Sequence, residues 1–197
     1  MNRKEIKERA KEILHKNFWK TIKPYLIVMI ISFIVTTILH PNPDISSTLI
    51  NFVEGIILYP LYIGLRVFSL KVIRKGEYDD IQIFMSYKRI IIIVGLMILI
   101  NFFTFLWTLL LVIPGIIAAL SYSMAPYLMA DGKEDPLECI RESKKMMYGY
   151  KWDYFKFMFS FFGWLLISVV AFWYVFPYYM ISESIYYDEL KKLSKIN

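Results

Sequence analysis

Apolar and polar positions in this chain are sorted into long blocks. Residues 24–65, 90–132 and 157–190 contain no lysine or arginine, and every basic residue falls within 3–23, 66–89, 133–156 or 191–195. Each empty block is too long for one bilayer crossing and about right for two, since a span needs roughly 20 apolar residues. Lysine and arginine stay on the cytoplasmic side during insertion. The pattern therefore predicts an all-α, polytopic transmembrane protein of about six spans. They form three helical hairpins, with both termini and all inter-hairpin loops inside the cell.

Four segments of a single integral membrane domain follow. Residues 1–23 hold an amphipathic helix at 3–19, with Ile6, Ala10, Ile13, Leu14 and Phe18 at helical spacing and Trp19 at its end. It is expected to lie in the headgroup plane. Hairpin 1 occupies 24–70 and turns at Pro41-Asn-Pro-Asp44. Residues 71–130 hold a loop with a short amphipathic piece after Asp79-Asp80, and then hairpin 2. Pro114-Gly115 supplies the outer turn, because proline presets φ and glycine accepts positive φ. Residues 131–197 comprise an interfacial helix, hairpin 3 and a cytoplasmic tail. The interfacial helix is capped by Asp135, starts at Pro136 and stops at Gly149, and its less polar face is Cys139, Ile140, Ser143, Met146 and Met147.

Hairpin 3 is the tightest fit. Between Phe155 and Ile185, two crossings get roughly 23 Å of helix each, short of the ~30 Å hydrocarbon core. One crossing would instead leave the basic tail outside, so two are expected. A threefold pattern runs through the hairpins. Each starts with aromatic and basic residues (Phe18-Trp19-Lys20, Tyr87-Lys88-Arg89, Tyr150-Lys151-Trp152), and each second span carries a proline that frees or kinks backbone (Pro60, Pro126, Pro177).

Composition agrees with immersion: 57% of the 197 residues are hydrophobic and the mean hydropathy is +0.47. The formal charge of +6 lies mainly on the inner surface, where anionic lipids attract it. That makes the bilayer the expected partner, alongside a membrane-protein partner, and leaves nothing that calls for nucleic acid. The lone Cys139 excludes an intramolecular disulfide.

The opening Arg3-Lys-Glu-Ile-Lys-Glu-Arg-Ala, Ile113-Pro-Gly-Ile with Tyr122 and Pro126, Ile140-Arg-Glu-Ser-Lys-Lys-Met-Met with Gly149 and Lys151, Ser160-Phe-Phe-Gly-Trp164 and Phe176-Pro-Tyr form one combination. Through it the chain, over almost its full length, resembles an uncharacterised family of bacterial integral membrane proteins, the domain of unknown function family 975. Cys139 departs from the alanine usual there, and the last hairpin is short. More remotely, the Pro-Gly turn and the Ser143 to Gly149 segment look like the membrane domain attached to some glycerophosphodiester phosphodiesterases. The resemblance implies a polytopic membrane protein and no particular activity.

Candidate site residues are the intramembrane polar groups. Glu54, before Gly55 and Pro60, is either a proton or cation site or a carboxyl tied near the outer interface to Asn51 or a tyrosine. Arg66 either snorkels to the inner surface or lines a pathway. Asn101 suits an interhelical hydrogen bond. Glu183 sits near the inner end of the last span. Metal-ligand spacing, a Ser/His pair and a phosphate-binding glycine loop are all missing, so neither a cofactor nor catalysis is expected. The expected role is transporter-like or lipid/peptide-interacting; the alternative is an accessory, scaffold or membrane-protection protein.

Overall fold

The computed structural model describes residues 2–40 and 48–194, with backbone alone for 163–171. The described residues are helical, with no strand. Helix α1 spans Arg3–Lys16, α2 Phe18–Leu39, α3 Thr48–Lys75 and α4 Gln82–Met85. A 3₁₀ turn, Ser86–Arg89, leads into α5, Ile90–Leu110. Then come α6 Val112–Tyr122, α7 Ala125–Ala130, α8 Pro136–Met146, α9 Lys151–Phe159 and α10 Phe162–Ser194. Four stretches are long and apolar enough to cross a membrane: Phe18–Leu39, Thr48–Lys75, Gln82–Leu110 and Val112–Ala130. The predicted turn at 41–44 lies outside the described residues.

The amphipathic helices dock on protein. Ile6, Ala10 and Leu14 of α1 are fully covered. The helix lies along α10, with Lys7 Nζ 4.1 Å above the Phe161 ring and His15 bonded to Tyr174 at 3.3 Å. Much of its apolar stripe is thus covered by the bundle. Helix α8 behaves likewise: Cys139, Ile140, Ser143, Met146 and Met147 are all buried, Asp135 caps Leu137 N–H at 2.9 Å, and Gly149 takes φ +80°. Burial pushes the Cys139 thiol up to about 12, so it stays a protonated, unreactive core group.

One predicted turn differs from expectation. Hairpin 2 reverses at Leu111, a single extended residue, and Pro114 and Gly115 lie inside α6. Gly115 is needed for close packing instead: a Cβ there would collide with Thr108 of α5. In the third unit the first described break is Ser160-Phe161, after only nine residues of α9. A straight run from Phe161 to Tyr178 would measure roughly 25 Å, yet their rings lie 5.3 Å apart. The axis of α10 therefore bends sharply before Tyr178. Pro177 lies within α10 and cannot donate to the carbonyl of Trp173.

At one end of the bundle the charged helix termini converge. Asp131, after α7, accepts from Arg74 of α3 at 2.5 Å, Lys191 of α10 at 2.6 Å and Tyr187 at 3.1 Å. Arg74 also grips Asp188 at 2.5 Å. Lys23 pairs with Asp80 at 2.5 Å, and Lys133 with Glu142 at 2.5 Å. Segments widely separated in sequence and rich in basic residues thus form one collar. Burial alone would raise the Asp131 carboxyl, but the hydrogen bonds and charges of Arg74 and Lys191 outweigh it and hold the group at about 2. Its contribution to stability is complete above the unfolded carboxylate range near pH 4 and is lost as pH falls through about 2. Asp131→Asn is expected to cost on the order of 2 kcal/mol at pH 7. Thermal melts in detergent should show that the gap to the parent protein narrows between pH 4 and 2; a gap constant with pH would refute the assignment.

Candidate functional site

The most polar point in the apolar interior is built by α3, α7, α9 and α10 around Glu183, which is 4% exposed. Its carboxylate accepts from three phenols: Tyr127 at 2.8 Å, Tyr179 at 3.1 Å, and Tyr154 through a short bond. Tyr127 and Tyr154 are themselves fully buried. A carboxylate moved from water into such surroundings costs several kcal/mol unless donors replace the lost water. Here three donors do so. Arg66 completes the group from α3, its guanidinium 5.1 Å over the Tyr127 ring. Tyr127 is thus held between a cation on its face and a carboxylate at its hydroxyl, an arrangement in which each partner polarises the next.

The expectation that Arg66 snorkels to the surface is overturned. Its Nη1 donates to the Tyr62 carbonyl at 3.3 Å, and its Nε is buried with no partner among the described residues. The side chain turns inward because the Tyr127 face and the nearby Glu183 charge compensate it there. Glu54 lies elsewhere, at the opposite ends of α2 and α3. It takes a short bond from Thr36 and pairs with His40 Nε2 at 3.2 Å. Among the described residues neither Asn51 nor a tyrosine is its partner. Among the described residues Asn101 makes no interhelical tie: its amide donates to its own helix at Met97 O, 2.8 Å away, on an exposed face of α5. The three candidates therefore do not form one site.

A second polar clasp explains the break in the fourth span. Between α6 and α7 the helix opens at Ser123-Met124, and Pro126 starts α7 without an amide proton. Ser143 of α8, fully buried, inserts its hydroxyl there: it donates to Ser121 O at 2.7 Å and accepts from Met124 N–H at 3.1 Å. Broken helix at membrane depth is tolerated where protein satisfies the freed groups. Of the remaining prolines, Pro60 is buried within α3 and Pro177 lies within α10.

Beside this clasp runs a groove of about 220 Å³. Trp107 of α5 and Pro114, Ile117, Ala118, Ser121 and Tyr122 of α6 form its walls, and Lys144 of α8 and Lys151 of α9 also line it. Neither lysine is ion-paired among the described residues. An apolar slot with two cations is suited to a molecule with an apolar body and an anionic end. Among the described residues no group of three or more His, Cys, Asp or Glu could hold a metal ion.

From sequence Glu183 is placed only near the inner end of the last span, whereas it is buried at 4% exposure; its tyrosine partners and the groove lysines are not singled out there. One signal was present: Tyr179 and Glu183 stand four apart within the same basic-free block, with more tyrosines at 178, 186 and 187.

The fold is a helical bundle with several helices able to span a membrane. Residues 108–194 match the family described as Protein of unknown function (DUF975). The match takes in Ser143, Tyr127, Tyr154, Tyr179 and Glu183 but stops short of Arg66 and of the N-terminal segment. No curated protein and no solved structure gives a match.

Glu183→Leu would strand two buried hydroxyls and a half-buried one and is expected to destabilise the protein by at least about 3 kcal/mol. Tyr127→Phe should cost about half as much, and Glu54→Leu less than about 1 kcal/mol, because its partners reach water. Melting temperatures in one detergent would rank the three; equal losses for Glu183→Leu and Glu54→Leu would show that the cage is not the anchor.

Proposed function

We propose that this chain is a multi-pass cell-membrane protein that works by binding an amphiphile, a lipid or an amphipathic peptide, and not by catalysis. The observation that carries this reading is the groove between α5, α6, α8 and α9, apolar along its walls and with Lys144 and Lys151 among its lining. The lysines would hold an anionic end near the inner surface while the apolar body lies along α6.

The transporter-like reading has less support. The buried ionic centre a carrier would need is occupied by its own donors, since Glu183 already accepts three hydroxyl groups. Such saturation suits an anchor better than a site that must take up and release cargo. The accessory or scaffold alternative draws on one observation. Asn101 places an amide on the exposed apolar face of α5 beside Phe102 and Phe105, and a polar residue on such a face favours helix association in lipid.

The proposed topology is three hairpins, with the collar and both termini in the cytoplasm. The meeting of Arg74, Asp131, Asp188 and Lys191 at one end of the bundle supports it. With Cys139 buried, a cysteine introduced at Ser46 is expected to react with impermeant reagents from outside, and one at Ser194 only after permeabilisation. The reverse pattern would overturn the orientation.

For the groove, native mass spectrometry of detergent-purified protein is expected to retain a monoacyl anionic amphiphile such as palmitate. Ile117→Trp, which fills the slot from a half-exposed position, should abolish retention. Lys144→Gln with Lys151→Gln should weaken it by about tenfold or more, at roughly 1 kcal/mol per cation. Retention unchanged in both variants would remove the groove from the function.

A further inference from the structure

A second cluster of cations faces a cavity of about 340 Å³ where α3, the 3₁₀ turn and the end of α7 meet. Lys71 comes from α3, and Lys88 and Arg89 from the turn; Ser86 and Met85 line the space with them. No acid is among its lining residues. Lys71 and Lys88 make no ion pair among the described residues. Arg89 is tethered by the Met129 carbonyl at 3.3 Å and by Glu134 at 3.8 Å, a carboxylate 71% exposed. In the loop before α4, Asp79 is engaged with the Gln82 amide at 3.2 Å and Asp80 with Lys23 at 2.5 Å.

Three like charges converging on one cavity repel, and the repulsion is relieved when an anion sits among them. The approach is also built in. Gly64 leaves room for the backbone of Ile83 to press against α3, and Tyr87 donates to Ile57 O at 2.6 Å, so the turn is held in place. Ile81, Phe84 and Met85, next to the cations, are exposed by 68, 46 and 48%. Apolar side chains flanking a basic pocket between spans, on the collar side, match the setting of a lipid headgroup.

We propose that Lys71, Lys88 and Arg89 form a binding site for a phosphate-bearing anion, carried by a lipid headgroup or by a soluble phosphate. The exposed Ile81, Phe84 and Met85 favour the lipid source. The site shares no residue with the Lys144/Lys151 groove and stands or falls separately from it.

Native mass spectrometry of the full chain, titrated with phosphatidylglycerol and phosphatidylcholine, tests it. The parent protein is expected to retain phosphatidylglycerol about tenfold or more over phosphatidylcholine, and Lys71→Gln with Lys88→Gln to bring the ratio near one. Lys71→Arg with Lys88→Arg should keep the preference, which separates loss of charge from loss of folding. Lys16→Gln with Lys20→Gln removes equal charge from exposed positions and should leave it intact, as should Lys144→Gln with Lys151→Gln. Inorganic phosphate distinguishes the sources. If millimolar phosphate binds and displaces the lipid, the natural ligand is soluble; if it does not, the ligand is a lipid. No preference in the parent protein, or equal loss in the Lys16/Lys20 control, would overturn the site.

Discussion

One desolvated carboxylate organises the interior. Glu183 sits where water cannot reach it, and a charge in that position must be met by donors or it unfolds the region around it. Three helices supply those donors, through Tyr127, Tyr154 and Tyr179, and a fourth brings the Arg66 cation over Tyr127. Because the phenols point inward from different elements, the carboxylate sets how α3, α7, α9 and α10 approach one another. The same chemistry recurs nearer the collar, where the buried Tyr186 and Tyr187 hydroxyls pair with Asp153 and Asp131. These polar ties fix the mutual placement of helices whose apolar surfaces alone would leave it loosely specified.

The second organising device is the use of short helices to mend long ones. The membrane-capable stretch Val112–Ala130 is broken between α6 and α7, and Ser143 of α8 satisfies one carbonyl and one amide of the break. Helix α8 is therefore more than a surface ornament: it closes the backbone of a span and helps line the groove beside it. Helix α1 lies along α10, and its Lys7 donates to Ser160 O at 3.0 Å at the break between α9 and α10. The outward-facing lysines of α8, α9 and the 3₁₀ turn are left over from this packing, and they line the two cavities proposed to bind anionic ligands.

Much of the architecture was legible in the chain. Two of the three basic-free blocks coincide with the four membrane-capable stretches found among the described residues, where the pattern predicts six spans, and Asp135, Pro136 and Gly149 bracketed α8, whose buried face matched its helical spacing residue for residue. Those features are local, set by composition and by capping within a few residues. The misses were non-local. Pro114-Gly115 carries strong turn chemistry, but the reversal fell at Leu111 because Gly115 was needed against Thr108. Arg66 looked like a snorkelling residue near a helix end; its direction depended on Tyr127, 61 positions away. Asn101 looked like an interhelical tie and instead bonded to its own helix.

Block charge and apolar length by themselves determined that this is a helical chain with membrane-capable segments whose basic ends belong together. Burying about 20 apolar residues per crossing and keeping lysine and arginine at the ends are requirements that each segment meets alone. Only the tertiary structure decided which polar groups meet. A carboxylate's partners are chosen by distance in space, so the grouping of Glu183 with Tyr127, Tyr154, Tyr179 and Arg66, and the separation of Glu54 and Asn101 from them, exist only once the helices pack.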